Sequence, residues 1–468
     1  MACSRTFTLL CGLLATTLVG AFLSPPVALI LGPEITRERL AQELKDHNAI
    51  SVLQELPLLS AIGEEPAGGI PILGSLVNSV LNRIIWLKVT SANILQLQVE
   101  PSTKDQELMV KIPLDMVAGF NTPLYKSIVE MHMEAEVEAT IEVETSKGGN
   151  SQLALSSCST SQKGLRISLL KKLSFMVNPL ANNVMKLLVP ALPKLVKKQL
   201  CPVIEEAFED MYKDLLHLAK MPVSIGDDHL EFDLQSSAIK GDAIQLNLGA
   251  KLLDSQGNVT KKFSESVPSL TVPDLDGAPF SLTVRQDVLN AAIVALLPPE
   301  EFMVMLDYVL PELARRLKSK VKVISEKAAE ALGRTQIVKI LTQEAPKLVL
   351  NSGAAQVAQM IVLEVFSNNK VLRPLFTLGI EASSEAQFDP KGDQLKLHLN
   401  TISADRVHMM NADIALFDPE ILKDLVADIL ATLLLPNENG KLRHGILLPI
   451  IDALGIRESS IFMTKVSG

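Results

Sequence analysis

The hydrophobic positions between residues 164 and 220 follow a helical period. Apolar side chains recur at steps of three and four, and after a shift of one residue the series resumes near residue 200. This spacing predicts a long α-helix with one leucine-rich face. Four prolines lie in the stretch and each removes a backbone donor, which predicts that the helix bends or breaks there. The apolar positions are Leu169, Leu173, Met176, Leu180, Val184, Leu187, Ala191, Leu195, Leu200, Ile204, Phe208, Met211, Leu215 and Leu218, and the prolines are Pro179, Pro190, Pro193 and Pro202.

A strict alternation of apolar and polar residues predicts the clearest strand, from Glu130 to Thr145. Methionine, alanine, valine and isoleucine occupy one face and glutamates most of the other. The pattern is typical of a long antiparallel strand with one buried face and one solvated, acidic face. The carboxylates are spread along that face instead of converging on a pocket, so they do not indicate acid–base catalysis.

The remaining pattern predicts a helix over about 33–60 and further strands near residues 95–100, 230–234 and 244–250. In the second half it predicts a strand at 280–284, helices over about 285–317 and 335–350, and strands at 357–365, 376–382 and 395–399. A closing helix is expected over about 419–435. Both halves thus order as strands followed by a leucine-rich helix, which indicates duplication. Residues 263–279 are rich in Pro, Ser, Asp and Gly and form the expected boundary.

Charge along the long helical stretch is one-sided. From Lys163 to Lys198 it carries eight basic residues and no acidic one, and four acidic residues follow between Glu205 and Asp210. One interpretation is a solvated helix face, which is what most charge runs are. The other is a cationic edge beside an apolar groove, suited to lipids with anionic headgroups.

Residues 1–21 have the pattern of a secretory signal, with Arg5, a short apolar region and a small-residue cleavage site. Its removal would leave two of the four cysteines, Cys158 and Cys201. In an oxidising compartment this pair predicts one disulfide, with two free buried thiols as the alternative. The triplet Asn258-Val259-Thr260 makes Asn258 a candidate for N-glycosylation. We therefore expect a secreted protein.

The composition and the motifs of the chain exclude several classes of function. Hydrophobic residues make up 47 % of the chain but aromatic residues only 4 %, so the apolar excess is aliphatic and suits acyl chains. The net charge of −9 argues against nucleic-acid binding. The seven histidines form no HExxH, and CxxC, GxSxG and phosphate-binding glycine motifs are missing from the sequence. We therefore expect no catalytic site, metal or cofactor.

Several segments carry a family resemblance. The paired cysteines, residues 200–204 (LCPVI), residues 442–449 (LRHGILLP) and the plan used twice resemble the bactericidal/permeability-increasing protein family. Residues 6–14 (TFTLLCGLL), 43–48 (ELKDHN) and 111–120 (KIPLDMVAGF) are similar to its long palate, lung and nasal epithelium clone branch. The resemblance covers essentially the whole chain after residue 21.

The resemblance implies an α+β fold in an elongated boomerang. Two similar units, each a highly twisted antiparallel β-barrel with two long helices, are joined by a central antiparallel sheet. The expected units are residues 22–265 and 266–468, and the implied disulfide is Cys158 to Cys201. The implied role is binding of phospholipid or bacterial lipopolysaccharide in mucosal innate immunity. We expect a monomer that makes transient contact with membrane surfaces.

The resemblance and the helical pattern together define the candidate site. The lipid pocket is predicted to be lined by apolar residues of the long stretch, with basic residues beside it facing the headgroup. Because the chain is acidic whereas bactericidal relatives are strongly basic, direct killing is not expected. Two other hypotheses stay open: a protein-binding immune modulator with vestigial pockets, and a secreted lipid hydrolase. The predicted pocket residues are Leu169, Leu173, Met176, Leu180, Val184 and Leu187, and the basic residues are Lys171, Lys172, Lys194, Lys197 and Lys198.

Overall fold

The structure is a computed structural model of the chain. It describes residues 24–63, 77, 79–123, 125–145, 151–171, 177–264, 272–351, 354–366, 373–413, 417–456 and 460–461. The predicted signal segment, residues 1–21, lies outside this description. Within the described residues, no helix is long and apolar enough to cross a membrane.

The first half combines one large sheet with a set of helices. Its strands are β1 (Val27–Leu31), β2 (Trp86–Ile94), β3 (Gln98–Pro101), β4 (Glu107–Thr122), β5 (Tyr125–Thr145), β6 (Ser151–Leu169), β7 (Val223–Ile225), β8 (Asp228–Lys240), β9 (Ala243–Leu253), β10 (Val259–Phe263) and β11 (Phe280–Val284). Its helices are α1 (Pro33–Asp46), α2 (Ala49–Gln54), α3 (Leu58–Gly63) and α4 (Asn178–Ala219).

The second half repeats the combination with a smaller sheet. Its helices are α5 (Gln286–Leu296), α6 (Leu306–Val309), α7 (Pro311–Ile324), α8 (Glu326–Leu332), α9 (Lys423–Leu442) and α10 (Pro449–Ala453), with a 3₁₀ turn at Pro419–Leu422. Its strands are β12 (Glu301–Met305), β13 (Ile337–Thr342), β14 (Lys347–Asn351), β15 (Ala354–Phe366), β16 (Pro374–Lys391), β17 (Gln394–Ala412) and β18 (Ile446–Leu447).

The strand order shows how the two halves connect. The first sheet runs β11-β1-β9-β8-β6-β5-β4-β2 and the second β12-β13-β15-β16-β17-β18. A parallel pairing of Ser151 with Ser236 joins β6 to β8. Strands β8, β9, β1 and β11 therefore continue the first sheet, and β11 enters it from beyond residue 265. The fold is α+β, as predicted. The boomerang outline and the exact unit boundary stay predictions.

Strand β5 follows the predicted alternation. Met131, Met133 and Val137 are completely buried, whereas the intervening glutamates are partly exposed. The strand pairs antiparallel with β4 and β6 along most of its length. Its apolar side chains belong to the core that the helices of the first half share.

The predicted start of the long helix is wrong. Residues 164–169 belong to β6, where Leu165, Ile167 and Leu169 also alternate at period two, and residues 166–169 pair with β5. Helix α4 begins at Asn178, with Pro179 in its first turn, where no intrahelical donor is needed. The helix then continues through Pro190, Pro193 and Pro202 without a break. The packing of α4 on the sheet stabilises the helix by more than the loss of three backbone donors destabilises it.

Three other helix predictions need correction. The helix predicted over 33–60 is three helices, separated at His47–Asn48, where Asn48 has φ 55°, and before Pro57. The helix predicted over 285–317 is interrupted by Pro298, Pro299 and strand β12, because consecutive prolines cannot continue a helix. The helix predicted over 335–350 is the strand pair β13 and β14. Alternating burial along β13 shows that period two prevailed there.

Apolar side chains form two described cores. One fills the space between the first sheet and α1–α5 and extends to second-half residues such as Leu399, Leu442 and Ile450. The other lies entirely in the second half, between α7, α8, α9 and the second sheet. The first core therefore holds the two halves together as well as the first sheet.

Candidate functional site

The predicted pocket residues lie on two elements instead of one helix. Leu169 is half-buried at the end of β6, whereas Leu180, Val184 and Leu187 lie on α4. Val184 is completely buried and Leu187 is 7 % exposed, whereas Leu180 is half-buried. Leu173 and Met176 lie outside the described residues. The structure thus brings a strand end and the first turns of α4 to the same apolar core.

The buried stripe of α4 is rotated slightly from the predicted one. Six completely buried side chains follow one another at intervals of four residues in sequence: Val184, Leu188, Leu192, Val196, Leu200 and Ile204. The sequence reasoning missed Leu188, Leu192 and Val196, although their four-residue spacing is itself a helical signal. Helix α4 packs with this stripe against β5, β6, α1, α2 and α3. Aliphatic side chains therefore dominate the interface.

Two cross-links attach α4 to β6. Cys158 and Cys201 form the predicted disulfide, with their Cα atoms 5.9 Å apart and a sequence separation of 43. Two residues along β6, the Thr160 hydroxyl donates a hydrogen bond of 3.1 Å to the Pro193 carbonyl. Because residues two apart on a strand share a face, both links come from the same side of β6.

The cations of α4 lie on its outer surface. Lys194, Lys197 and Lys198 are exposed, and within the described part of the chain they take part in no ion pair. Lys171 is exposed just after β6, and Lys172 lies outside the described residues. The first half of α4 therefore presents a positive surface directly above its apolar stripe.

The second half of α4 is acidic and differently connected. Asp210 lies 2.9 Å from Lys213 and 3.2 Å from Nε2 of His47. The hydrogen bond from Lys213 holds the pKa of Asp210 below its ordinary value. Glu206 lies 3.7 Å from Nδ1 of His47. This end of the helix is thus in contact with His47, which follows α1, and with its own Lys213.

Within the described residues, the two histidines that contact carboxylates are not arranged for nucleophilic catalysis. Both ring nitrogens of His47 face carboxylates, and His132 likewise lies 2.5 Å from Asp115 and 3.9 Å from Glu134. A general base for a serine nucleophile needs one ring nitrogen free to accept its proton. Among the described residues, no group of three or more His, Cys, Asp or Glu side chains could hold a metal ion.

An open cleft of about 520 Å³ lies beside the start of α1 and is lined by none of the predicted pocket residues. Polar and charged groups contribute to it, including the ion pair of Lys240 with Asp274 at 2.6 Å. Asn258 is exposed in the turn between β9 and β10, and its side-chain amide donates to Asp254. Its glycosylation stays a prediction.

Comparison with family models defines the class of protein. The LBP / BPI / CETP family N-terminal domain matches residues 43–211, and the C-terminal domain of the same family matches residues 301–465. Together these matches cover more than half of the chain. The chain belongs to the LBP / BPI / CETP family.

Individual relatives are similar to this chain over nearly its whole length. The chain is 64 % identical to human BPI fold-containing family B member 1 over 465 residues, which cover 99 % of this chain and 96 % of the relative. It is 55 % identical to the mouse protein of that name, over 99 % of this chain and 98 % of the relative. Among solved structures, lipopolysaccharide binding protein aligns with 90 % of this chain and 93 % of its own, at 13 % identity and a TM-score of 0.48.

Proposed function

We propose that this chain is a secreted lipid-binding protein of mucosal innate defence that takes up phospholipid or bacterial lipopolysaccharide through α4. Acyl chains would enter between β6 and the first turns of α4, and anionic headgroups would meet the lysines on the outer helix surface. The observation that carries the proposal is the aliphatic stripe of α4, buried beneath an outer helix face whose lysines form no ion pair with the described residues. Family membership supports a binding role over an enzymatic one.

The free energy of burying an acyl chain is large enough to drive such uptake. Burying one methylene contributes about 0.8 kcal/mol, so a long acyl chain supplies several kcal/mol. Each lysine near an anionic surface adds about 1 kcal/mol. Because Val184 is completely buried here, the first turns of α4 would have to separate from β6 to admit a chain. The half-buried Leu180 and Leu169 mark where that separation would begin.

The apolar part of the proposal is tested with Val184→Asp and a matched control, Val189→Asp. Both residues lie on α4, but Val184 is buried and Val189 is 46 % exposed. Uptake of a fluorescent phospholipid by delipidated protein should be lost in V184D and retained in V189D. Circular dichroism establishes whether V184D is folded, and a folded V184D with normal uptake contradicts the proposal. If V184D does not fold, L180D against V189D decides in the same way.

The headgroup part is tested by reversing charge on the outer surface. K194E/K197E/K198E should weaken binding of lipopolysaccharide vesicles roughly a hundredfold at low salt, from about 1 kcal/mol per lysine. The double variant K261E/K262E on β10, whose lysines are also exposed, serves as the control. Equal affinities of the two variants would contradict a headgroup role for α4.

The close packing around Val184 favours a second candidate, a protein-binding immune modulator with vestigial pockets. Titration with lipopolysaccharide separates the two. A lipid-binding protein removes lipopolysaccharide from solution in stoichiometric amounts, whereas a modulator alters the cellular response without lowering the free concentration. Native mass spectrometry of the secreted protein gives an independent reading, because a lipid-binding protein should carry lipid out of the secretion fluid.

A further inference from the structure

The last turns of α9 contain an unusual run of residues, from Pro436 to Lys441. Proline, asparagine and glycine are among the least favourable residues inside a helix, and all three kinds occur here. The helix nevertheless continues to Leu442. Tertiary contacts must therefore compensate for the poor local propensity.

Those contacts are polar and involve Glu300, the backbone of Leu399 on β17, and Gln359 on β15. The Asn437 amide and the Lys441 ammonium each lie 2.6 Å from one carboxylate oxygen of Glu300, just before β12. The Asn439 side chain donates to the Leu399 carbonyl and accepts from the Leu399 amide, both at 2.9 Å, as a neighbouring strand would. We call residues 437–441 the polar clasp.

Glu438 lies at the centre of the clasp and is only 3 % exposed. Its Oε1 accepts a hydrogen bond of 2.8 Å from the Gln359 amide on β15. Its Oε2 and the Gln359 Oε1 are both buried and have no hydrogen-bond partner among the described residues. Both residues line a cavity of about 10 Å³, which is close to the space needed for one water molecule.

Burial and the neighbouring Glu300 carboxylate disfavour an ionised Glu438. Glu300 and Glu344 line the same cavity from the segments flanking β12 and β13, Lys441 faces it from α9, and β15 contributes only the neutral Gln359. Burial, reinforced by the Glu300 carboxylate, raises the pKa of Glu438 to about 7, while Gln359 and Lys441 act in the opposite direction. An ionised Glu438 would place a second negative charge near that of Glu300 and next to the buried Gln359 Oε1, which has no partner among the described residues.

We propose that Glu438 and Gln359 form a proton-binding site that closes the polar clasp when Glu438 is neutral and loosens the last turns of α9 when it ionises. In the closed form the Oε2 hydroxyl donates to one water molecule, which in turn donates to Gln359 Oε1. Glu438 Oε2 and Gln359 Oε1 then both have a partner. Loss of the proton removes the side-chain donor of Glu438 and leaves a buried negative charge facing Glu300. The site does not depend on the proposed lipid binding.

Hydrogen exchange at pH 6 and pH 8, corrected for the intrinsic rate, tests the site in the full chain. If the carboxyl has a pKa of about 7 when closed and 4.5 when open, opening of the last turns of α9 should increase about tenfold over this range. Glu438→Gln keeps the shape but cannot ionise, so its α9 should show no such increase. Glu330→Gln, at an exposed glutamate on α8, should behave like the unmodified protein.

A second measurement covers the case in which E438Q does not fold. The infrared difference spectrum of the unmodified protein between pH 6 and pH 8 should contain the loss of a buried protonated carboxyl band. E330Q should retain this band. The proposal is overturned if exchange in α9 is independent of pH, if E438Q retains the tenfold change, or if no buried carboxyl titrates in this range.

Discussion

The two long helices of this protein, α4 and α9, occupy similar places in their halves but are held by different forces. Helix α4 rests on a continuous aliphatic stripe and is fastened to β6 by a disulfide. Helix α9 also has a buried apolar side, but its end is held by the polar clasp around Glu438. Covalent and apolar attachment is insensitive to pH, whereas a buried carboxyl is not.

The difference extends to how each helix ends. A local sequence echo aligns Leu187–Pro190 with Leu433–Pro436, and both prolines lie inside their helices. Beyond this point α4 continues through Pro202 to Ala219, whereas the second half turns at Gly445, which has φ 65°, and starts α10 at Pro449. Cys201, which forms the disulfide, lies in the part of α4 that has no counterpart in α9. Of the two helices, the longer one is therefore the one with a covalent link to its sheet.

The largest expected effect comes from removing the disulfide. C158A/C201A should lower the free energy of unfolding of the first half by about 4 kcal/mol, because the loop between two residues 43 positions apart is no longer closed in the unfolded chain. Urea denaturation followed by Trp86, the only tryptophan, reports on this half. Protection of α9 against hydrogen exchange should not change. Equal loss of protection in both helices would show that the two are not held independently.

The next largest effect is the dependence of the stability of the second half on pH. The pKa of Glu438 in the folded protein, about 7, lies above its ordinary value of 4.5, so folding favours the protonated carboxyl. This stabilisation is fully present below about pH 4.5 and is lost as the pH rises to about 7, a change of roughly 3 kcal/mol. E438Q should therefore be the more stable protein at pH 8 in urea denaturation followed by circular dichroism. A less stable E438Q at that pH would contradict a raised pKa for Glu438.

A smaller effect is expected from the backbone contacts of the clasp. N439A leaves the Leu399 amide and carbonyl without their partner and should destabilise α9 by about 2 kcal/mol. N437A, at an exposed neighbour whose side chain donates a hydrogen bond to the Glu300 carboxylate, should cost less than about 1 kcal/mol. Thermal denaturation compares the two variants. The reverse order would mean that Glu300, not β17, anchors the helix end.

The smallest effect concerns the second link of α4. Thr160→Val removes the hydrogen bond to the Pro193 carbonyl and should cost about 1 kcal/mol, since the shape is preserved. Ser161→Ala, at the next residue on the other face of β6, is the control and should be neutral. Urea denaturation followed by Trp86 measures both. A neutral T160V would leave the disulfide and the apolar stripe as the attachments of α4.

Features that depend on local pattern could be predicted from the sequence. The alternation from Glu130 to Thr145 determines β5, because any other register would expose its apolar face. The disulfide followed from having two cysteines left after the predicted signal, and the family from short motifs. The identity of the α4 stripe was predicted only approximately, because steps of three and four allow neighbouring stripes. Burial selected the series that begins at Val184.

Tertiary structure decided what local pattern leaves ambiguous. Leu169 fits the helical series, but it also shares a face with Leu165 and Ile167 at period two, and pairing with β5 made this segment a strand. Pro190, Pro193 and Pro202 predict breaks, but packing on the sheet keeps α4 continuous. Nothing in the sequence shows that Glu438 is buried, since a glutamate near a helix end is ordinarily exposed. Its environment comes from Gln359, 79 residues away, and Glu300, 138 residues away. Such long-range contacts exist only once the chain has folded.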